Sequence, residues 1–188
     1  MILFKEKNSK FCSFCFPIEN ENDVKVHLST LKKAHAHAGH FCYAYQIGTS
    51  KIIYRTNDDG EPNNTAGAPI YGQIKSFDIT NVLVVVIRYF GGTKLGVGGL
   101  ISAYKSAAQM ALQSATIVQK TINIEFVITY NYKHINKVMR IIKEKNITII
   151  SQKIDLSCET TLLVTKKNAE NSIGIFENLF EITVKKVT

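Results

Sequence analysis

The chain has 188 residues, 45% of them hydrophobic and 20% charged, which is enough apolar content for one domain or two small ones and too much for a disordered tail protein. Its longest unbroken apolar run, Val82–Ile87, is far short of the ~20 residues a membrane helix needs. Met1–Phe4 passes at once into Lys5-Glu6-Lys7, leaving no room for the hydrophobic region of a signal peptide. The 23 Lys/Arg against 15 Asp/Glu leave a net charge of +8, spread along the chain with no basic tail. That charge suits a polyanionic partner without identifying one. The expectation is a soluble, cytoplasmic protein with no membrane association.

A strand over Lys10–Phe16 comes first. It contains Cys12 and Cys15, a Cys-x-x-Cys without the second pair of a zinc ribbon or the helix N-terminus of a redox motif. On a strand, residues three apart point to opposite faces, so these read as ordinary core or edge thiols. With only four scattered cysteines in the chain, a disulfide scaffold is excluded. A helix follows at Asp23–Ala34, with Val24, Leu28 and Leu31 on one face and Asn22 as the expected N-cap. Phe41–Ile47 and Lys51–Arg55 read as a hairpin around Gly48-Thr49-Ser50, followed by the polar loop Asn57–Asn64. Val82–Phe90 is the most apolar strand, and a helix spans Gly98–Ser114. After Ala115 the pattern restarts: strand Ile122–Thr129, helix Tyr132–Lys145, strands Ile147–Ile154 and Thr160–Thr165, helix Asn168–Leu179, strand Glu181–Val187. This βαββαβ order is that of ferredoxin-like domains. The helix Tyr132–Lys145 sets Ile135, Val138, Met139 and Ile142 against Lys133, Lys137 and Arg140, a basic stripe that reads as its solvated face. The fold class is α+β, in two domains, 1–117 and 118–188.

Three segments have the residue types for chemistry. His35-x-His37-x-x-His40-x-Cys42 invites a zinc reading. However, it runs from a helix end into a strand, where His35 suits the helix C-terminus and His40 and Cys42 share a strand face. Asp58-Asp59-Gly60-Glu61, with Thr65-Ala66-Gly67 after it, reads either as turn chemistry or as carboxylates for Mg²⁺ or acid–base work. Arg88-Tyr89-Phe90-Gly91-Gly92-Thr93-Lys94-Leu95-Gly96-Val97-Gly98-Gly99-Leu100 places five glycines and Lys94 between a buried strand and a helix N-terminus. There, backbone N–H groups suit an anion, or the glycines serve an unusual turn. The spacing matches neither nucleotide fingerprint.

These stretches resemble the IMPACT/YigZ family. The matching residues are His35-x-x-Ala38-x-His40-x-Cys42-Tyr43-Ala44-Tyr45; Asp58-Asp59-Gly60-Glu61-Pro62-x-x-Thr65-Ala66-Gly67-x-Pro69-Ile70; and Asn81–Val86 running into Arg88–Leu100, Ala103 and Tyr104, with Ser9-Lys10-Phe11 upstream. The resemblance covers about residues 9–115 and implies an N-terminal domain like domain IV of elongation factor G. The second domain matches by architecture alone and would correspond to that factor's ferredoxin-like domain V. Eukaryotic relatives regulate translation initiation under amino-acid starvation, so the resemblance implies a translation-associated role. His37 lies outside the family pattern, Asn63-Asn64 replaces the usual Ser-Gly, Ser102 stands where relatives commonly carry arginine, and Val97 where a small or hydroxyl residue is usual.

The resulting expectation is a non-catalytic regulator that binds RNA, the ribosome or a protein partner in translation control, with no cofactor and no metal. The binding residues expected from the family motifs are His35, His40, Cys42, Asp58, Asp59, Glu61, Thr65, Arg88, Tyr89, Gly91, Gly92, Lys94, Gly96, Gly98, Gly99, Tyr104 and Lys105. Arg88, Lys94 and Lys105 would meet phosphates, and Tyr89 and Tyr104 would stack on bases. The alternatives are a phosphate- or nucleotide-handling enzyme, with Mg²⁺ on the acidic loop and His35 or His40 as base, and a protein-interaction adaptor. The oligomeric state is not legible.

Overall fold

In the computed structural model, which describes residues 1–187, Lys7 and Asn8 both adopt positive φ (42° and 65°). The turn they make folds β1 (Ile2–Glu6) back onto β2 (Ser9–Pro17). Sequence pattern places no strand before Lys10, because β1 is short and its two-residue turn lacks glycine. The chain divides into two units, Met1–Ile117 and Val118–Thr188.

The first unit is a five-stranded antiparallel sheet in the order β1-β2-β5-β3-β4, with β3 at His40–Ile47, β4 at Ile53–Asn57 and β5 at Val82–Tyr89. Helix α1 (Glu21–Ala34) lays Val24, Leu28 and Leu31 on one face, against Phe41, Leu83, Val85 and Ile87. Its N-cap is Asn20 rather than the expected Asn22. The Asn20 side chain accepts from Asn22 N and Asp23 N while the Asp23 carboxylate accepts from Asn20 N, a closed capping box. Helices α2 (Gly67–Ser76) and α3 (Gly96–Ser114) cover the other face, with Ile70, Ile74, Leu100, Ala103 and Ala107 against Cys42, Ala44, Val84 and Val86. Strand β5 is buried on both faces, which explains its unbroken apolar run. Cys12 and Cys15 point to opposite faces as their spacing requires, packing into the α1 and the α2/α3 layers respectively.

Helix α2 is the larger omission of the sequence reading, although Ile70 and Ile74 carry helical spacing. Its N-terminus has no capping side chain at Ala66 and is capped instead by Asp58, eight and nine residues upstream of the donors. No local start signal exists to be read.

The second unit is a four-stranded antiparallel sheet in the order β7-β8-β6-β9, formed by β6 (Asn123–Asn131), β7 (Thr148–Lys153), β8 (Ser157–Thr165) and β9 (Ile182–Lys186). Helices α4 (Ile135–Glu144) and α5 (Lys166–Glu177) follow β6 and β8, completing the ferredoxin-like βαββαβ topology. The expected helix Tyr132–Lys145 begins as a separate 3-10 turn at Tyr132–His134, which Asn131 caps. Phe126, Ile128, Leu162, Val138, Ile142, Ile173 and Phe176 form this unit's apolar core.

Candidate functional site

The three segments singled out in the sequence meet at one end of the first unit's sheet. Register places His40 opposite Arg88 across β3 and β5. Arg88 is the last residue of the buried run, and its side chain enters the α2/α3 layer instead of reaching solvent. There its Nη1 donates to Glu61 Oε1 at 2.7 Å, with Arg88 5% and Glu61 8% exposed. The Tyr104 hydroxyl, from α3, donates to the same carboxylate oxygen at 2.8 Å. The Cys42 thiol faces both the Tyr104 oxygen (3.3 Å) and the Asp58 carbonyl (3.0 Å). On its other side, Arg88 Nη2 donates to Ser9 Oγ, which also accepts from the backbone N–H of Gly91, both at 3.3 Å. The guanidinium rests on the rings of Phe11 and Phe90, 5.6 and 5.5 Å from their centroids.

This arrangement is a rivet. One buried ion pair ties the acidic loop (Glu61), β5 (Arg88), α3 (Tyr104), β3 (Cys42) and the start of β2 (Ser9). Burial pushes the Cys42 thiol up, only partly offset by its hydrogen bond to Tyr104, and burial also raises Tyr104. Both remain neutral donors at physiological pH. Ser9, wholly buried, is a member the residue-by-residue reading passed over; its only sequence signal is its place beside Lys10-Phe11.

The acidic loop is turn chemistry. Asp58 accepts from Asn64 N, Ala66 N and Gly67 N at 2.8–2.9 Å and so caps α2. Asp59 accepts from Phe41 N at 2.7 Å, pinning the loop to β3. The Thr65 hydroxyl donates to Pro62 O at 2.7 Å. Asn64 takes φ 61°, a left-handed conformation that asparagine tolerates better than most residues. Gly67 is required by proximity, since a Cβ there would lie 2.7 Å from Asn57 N.

The histidines diverge. His35 caps the C-terminus of α1 and its Nδ1 lies 2.8 Å from the Tyr89 hydroxyl, on the α1 side of the sheet. His40 faces the opposite layer. Its Nδ1 is 2.9 Å from the Asp59 carbonyl and must carry the proton, leaving Nε2 3.9 Å from Glu61. His37 is exposed. Among the described residues, no group of three His, Cys, Asp or Glu side chains is placed to hold a metal ion.

In the glycine-rich segment, a Cβ on Gly91 would collide with the Asn8 backbone, while Gly92 and Gly96 hold φ of 84° and 70°. Gly99 sits 3.2 Å from Leu95 Cβ by the same measure. Gly98 alone has open space and an ordinary helical backbone. Helix α3 starts without a side-chain cap, and Lys94, Gly98, Ser102 and Lys105 are exposed around its first turns. Two expected roles therefore fall away. Arg88 is committed to Glu61 and Tyr104 is wholly buried, so neither is available to a phosphate or a base.

Set against known proteins, residues 7–112 match the Impact N-terminal domain. The chain is 38% identical over 114 residues to IMPACT family member YvyE of Bacillus subtilis, covering 61% of this chain and 52% of that relative. It is 29% identical over 176 residues to an IMPACT family member of Haemophilus influenzae, covering 90% of this chain and 84% of that one. A crystal structure of a hypothetical protein superposes on all of this chain and 93% of its own with a TM-score of 0.68 at 22% identity, a likeness of fold.

Proposed function

The chain belongs to the IMPACT family, and from that premise we propose that it is a translation-associated regulator that works by binding RNA of the translation machinery rather than by catalysis. The direction comes from the resemblance to the IMPACT family, which implies a translation-associated role. The observation that supports binding is the division of labour at the motif end of the sheet. The carboxylates are spent inside: Asp58 on the α2 N-terminus, Asp59 on β3 and Glu61 on Arg88. The cations stay outside, with Lys94 and Lys105 flanking an uncapped helix start and Gly98 leaving its surface bare. Exposed N–H groups, the positive end of the helix dipole and two lysines favour phosphate oxygens. A glycine at Gly98, which neither φ nor crowding demands, permits close approach of a backbone.

The test is co-sedimentation with ribosomes at about 50 and about 200 mM salt, a range over which phosphate contacts lose most of their affinity. The expected result is pelleting at low salt that falls at high salt and is weakened in Lys94→Gln/Lys105→Gln. No pelleting at low salt overturns the proposal.

A further inference from the structure

The opposite side of the same sheet end has a surface that none of the motifs explains. Cross-strand register sets Lys5 directly opposite Lys10, and Lys10 opposite Tyr89, as one row across β1, β2 and β5. The next row on this face is Leu3–Cys12–Ile87. Two lysines facing each other on one sheet face repel, and among the described strand positions of that face there is no carboxylate to relieve them; Glu21 of α1, which packs on this face, accepts from the Tyr45 hydroxyl. Glu6 pairs with Ser9 and so belongs to the opposite face, and the strand positions sharing the lysine face are apolar, aromatic, Asn57 or Arg55. Beside the row lies a groove of about 330 Å³ lined by Met1, Leu3, Asn8, Lys10, Cys12, Tyr89 and Phe90. Phe90 is 56% exposed and Leu3 43%. Tyr89 is held in place by His35, and the Phe90 ring is backed by the Arg88 guanidinium.

We infer that this groove is a single-strand subsite, in which Phe90 stacks on an unpaired nucleobase while Lys5 and Lys10 hold the flanking phosphates. The inference rests on the reading of the chain as an RNA-binding protein and places a second contact surface at the rim of the sheet, from the lysine row on the face opposite α3 to Phe90 just past the end of β5, whose ring meets the Arg88 guanidinium of the α2/α3 layer. The occupant follows from the chemistry of the patch. A pair of lysines with no carboxylate among the strand positions of their face calls for an anion. An exposed aromatic ring with an apolar floor calls for a planar, weakly hydrated group, and one polymer presents both in alternation. A duplex hides its bases inside the stack and cannot use the ring. An acidic protein segment would satisfy the lysines but would make no demand on the aromatic plane.

The test is fluorescence anisotropy of a labelled single-stranded uridine oligomer and of an RNA duplex against the full chain. Phe90→Ala is expected to weaken single-strand binding by about five- to a hundredfold and to leave duplex binding unchanged. Lys5→Gln/Lys10→Gln is expected to reduce the slope of log affinity on log salt by about 1.4. The chain has no tryptophan, so Phe90→Trp supplies a single reporter, expected to be quenched by the oligomer. All these side chains are exposed, and circular dichroism confirms that the variants fold. Wild-type affinity in both the alanine and the glutamine variants, or an unquenched Phe90→Trp at saturating oligomer, overturns the inference. Absence of single-strand binding also overturns it, while salt-sensitive ribosome pelleting weakened in Lys94→Gln/Lys105→Gln leaves the proposed function standing.

Discussion

The two units use similar parts, a β-sheet with helices packed on it, but they are held by different means. The second is closed by apolar packing, with Phe126, Ile128, Leu162 and Phe176 all fully buried, and two of its buried hydroxyls, Tyr130 and Thr160, meet at 3.1 Å. The first has a comparable core, but its motif end is closed by a buried ion pair and by glycines that let backbones touch. Apolar packing accepts many residues of suitable volume, whereas a buried guanidinium accepts a very short list of partners. This is a physical reason why the first unit is recognisable by motif while the second is recognisable from architecture.

The largest effects should come from cutting each kind of core. Phe126→Ala in the second unit and Glu61→Ala in the first are each expected to cost about 3–5 kcal/mol, one by leaving a cavity and the other by stranding Arg88 without its counter-charge. Urea denaturation measures both costs, and amide exchange shows which unit loosens. The contrast sharpens with conservative exchanges. Leu162→Met is expected to cost less than about 1.5 kcal/mol. Arg88→Lys should approach the cost of Glu61→Ala, because an ammonium cannot bridge Glu61 and Ser9 while keeping its charge against the rings of Phe11 and Phe90. Equal tolerance of the two exchanges would break the comparison.

A smaller effect separates the glycines. Gly91→Ala drives a methyl group into the Asn8 backbone and is expected to cost about 1–3 kcal/mol as the β1–β2 turn is forced aside. Gly92→Ala meets no neighbour and pays only for its φ of 84°, about 1–2 kcal/mol. Thermal unfolding of the pair gives the order.

The smallest effect is acid sensitivity at the start of α1. Asp23 is held below the ordinary carboxylate range chiefly by the backbone N–H of Glu19, with further help from Asn20. The unfolded chain therefore takes up this proton first. The contribution is complete above about pH 4 and is lost as the pH falls through the lowered value. Amide protection at Glu19 and Asn20, measured relative to the intrinsic exchange rate, should fall over that range in the wild type, and Asp23→Asn should remove that loss of protection.

Periodicity and composition alone determined the α+β class, the central apolar strand β5, the two-part organisation and the βαββαβ order of the second unit, because these depend on patterns local to each element. The resemblance of the His, acidic and glycine-rich stretches determined the family. Tertiary structure decided the rest. It showed that α2 starts where Asp58 reaches it from outside the helix, and that a lysine–asparagine turn recruits a strand at the chain's beginning. It also turned Arg88 and Tyr104 inward and His35 and His40 to opposite layers. In each case the deciding partner lies on another strand, helix or loop, and a linear sequence records neither the distance between them nor the side of the sheet on which they meet.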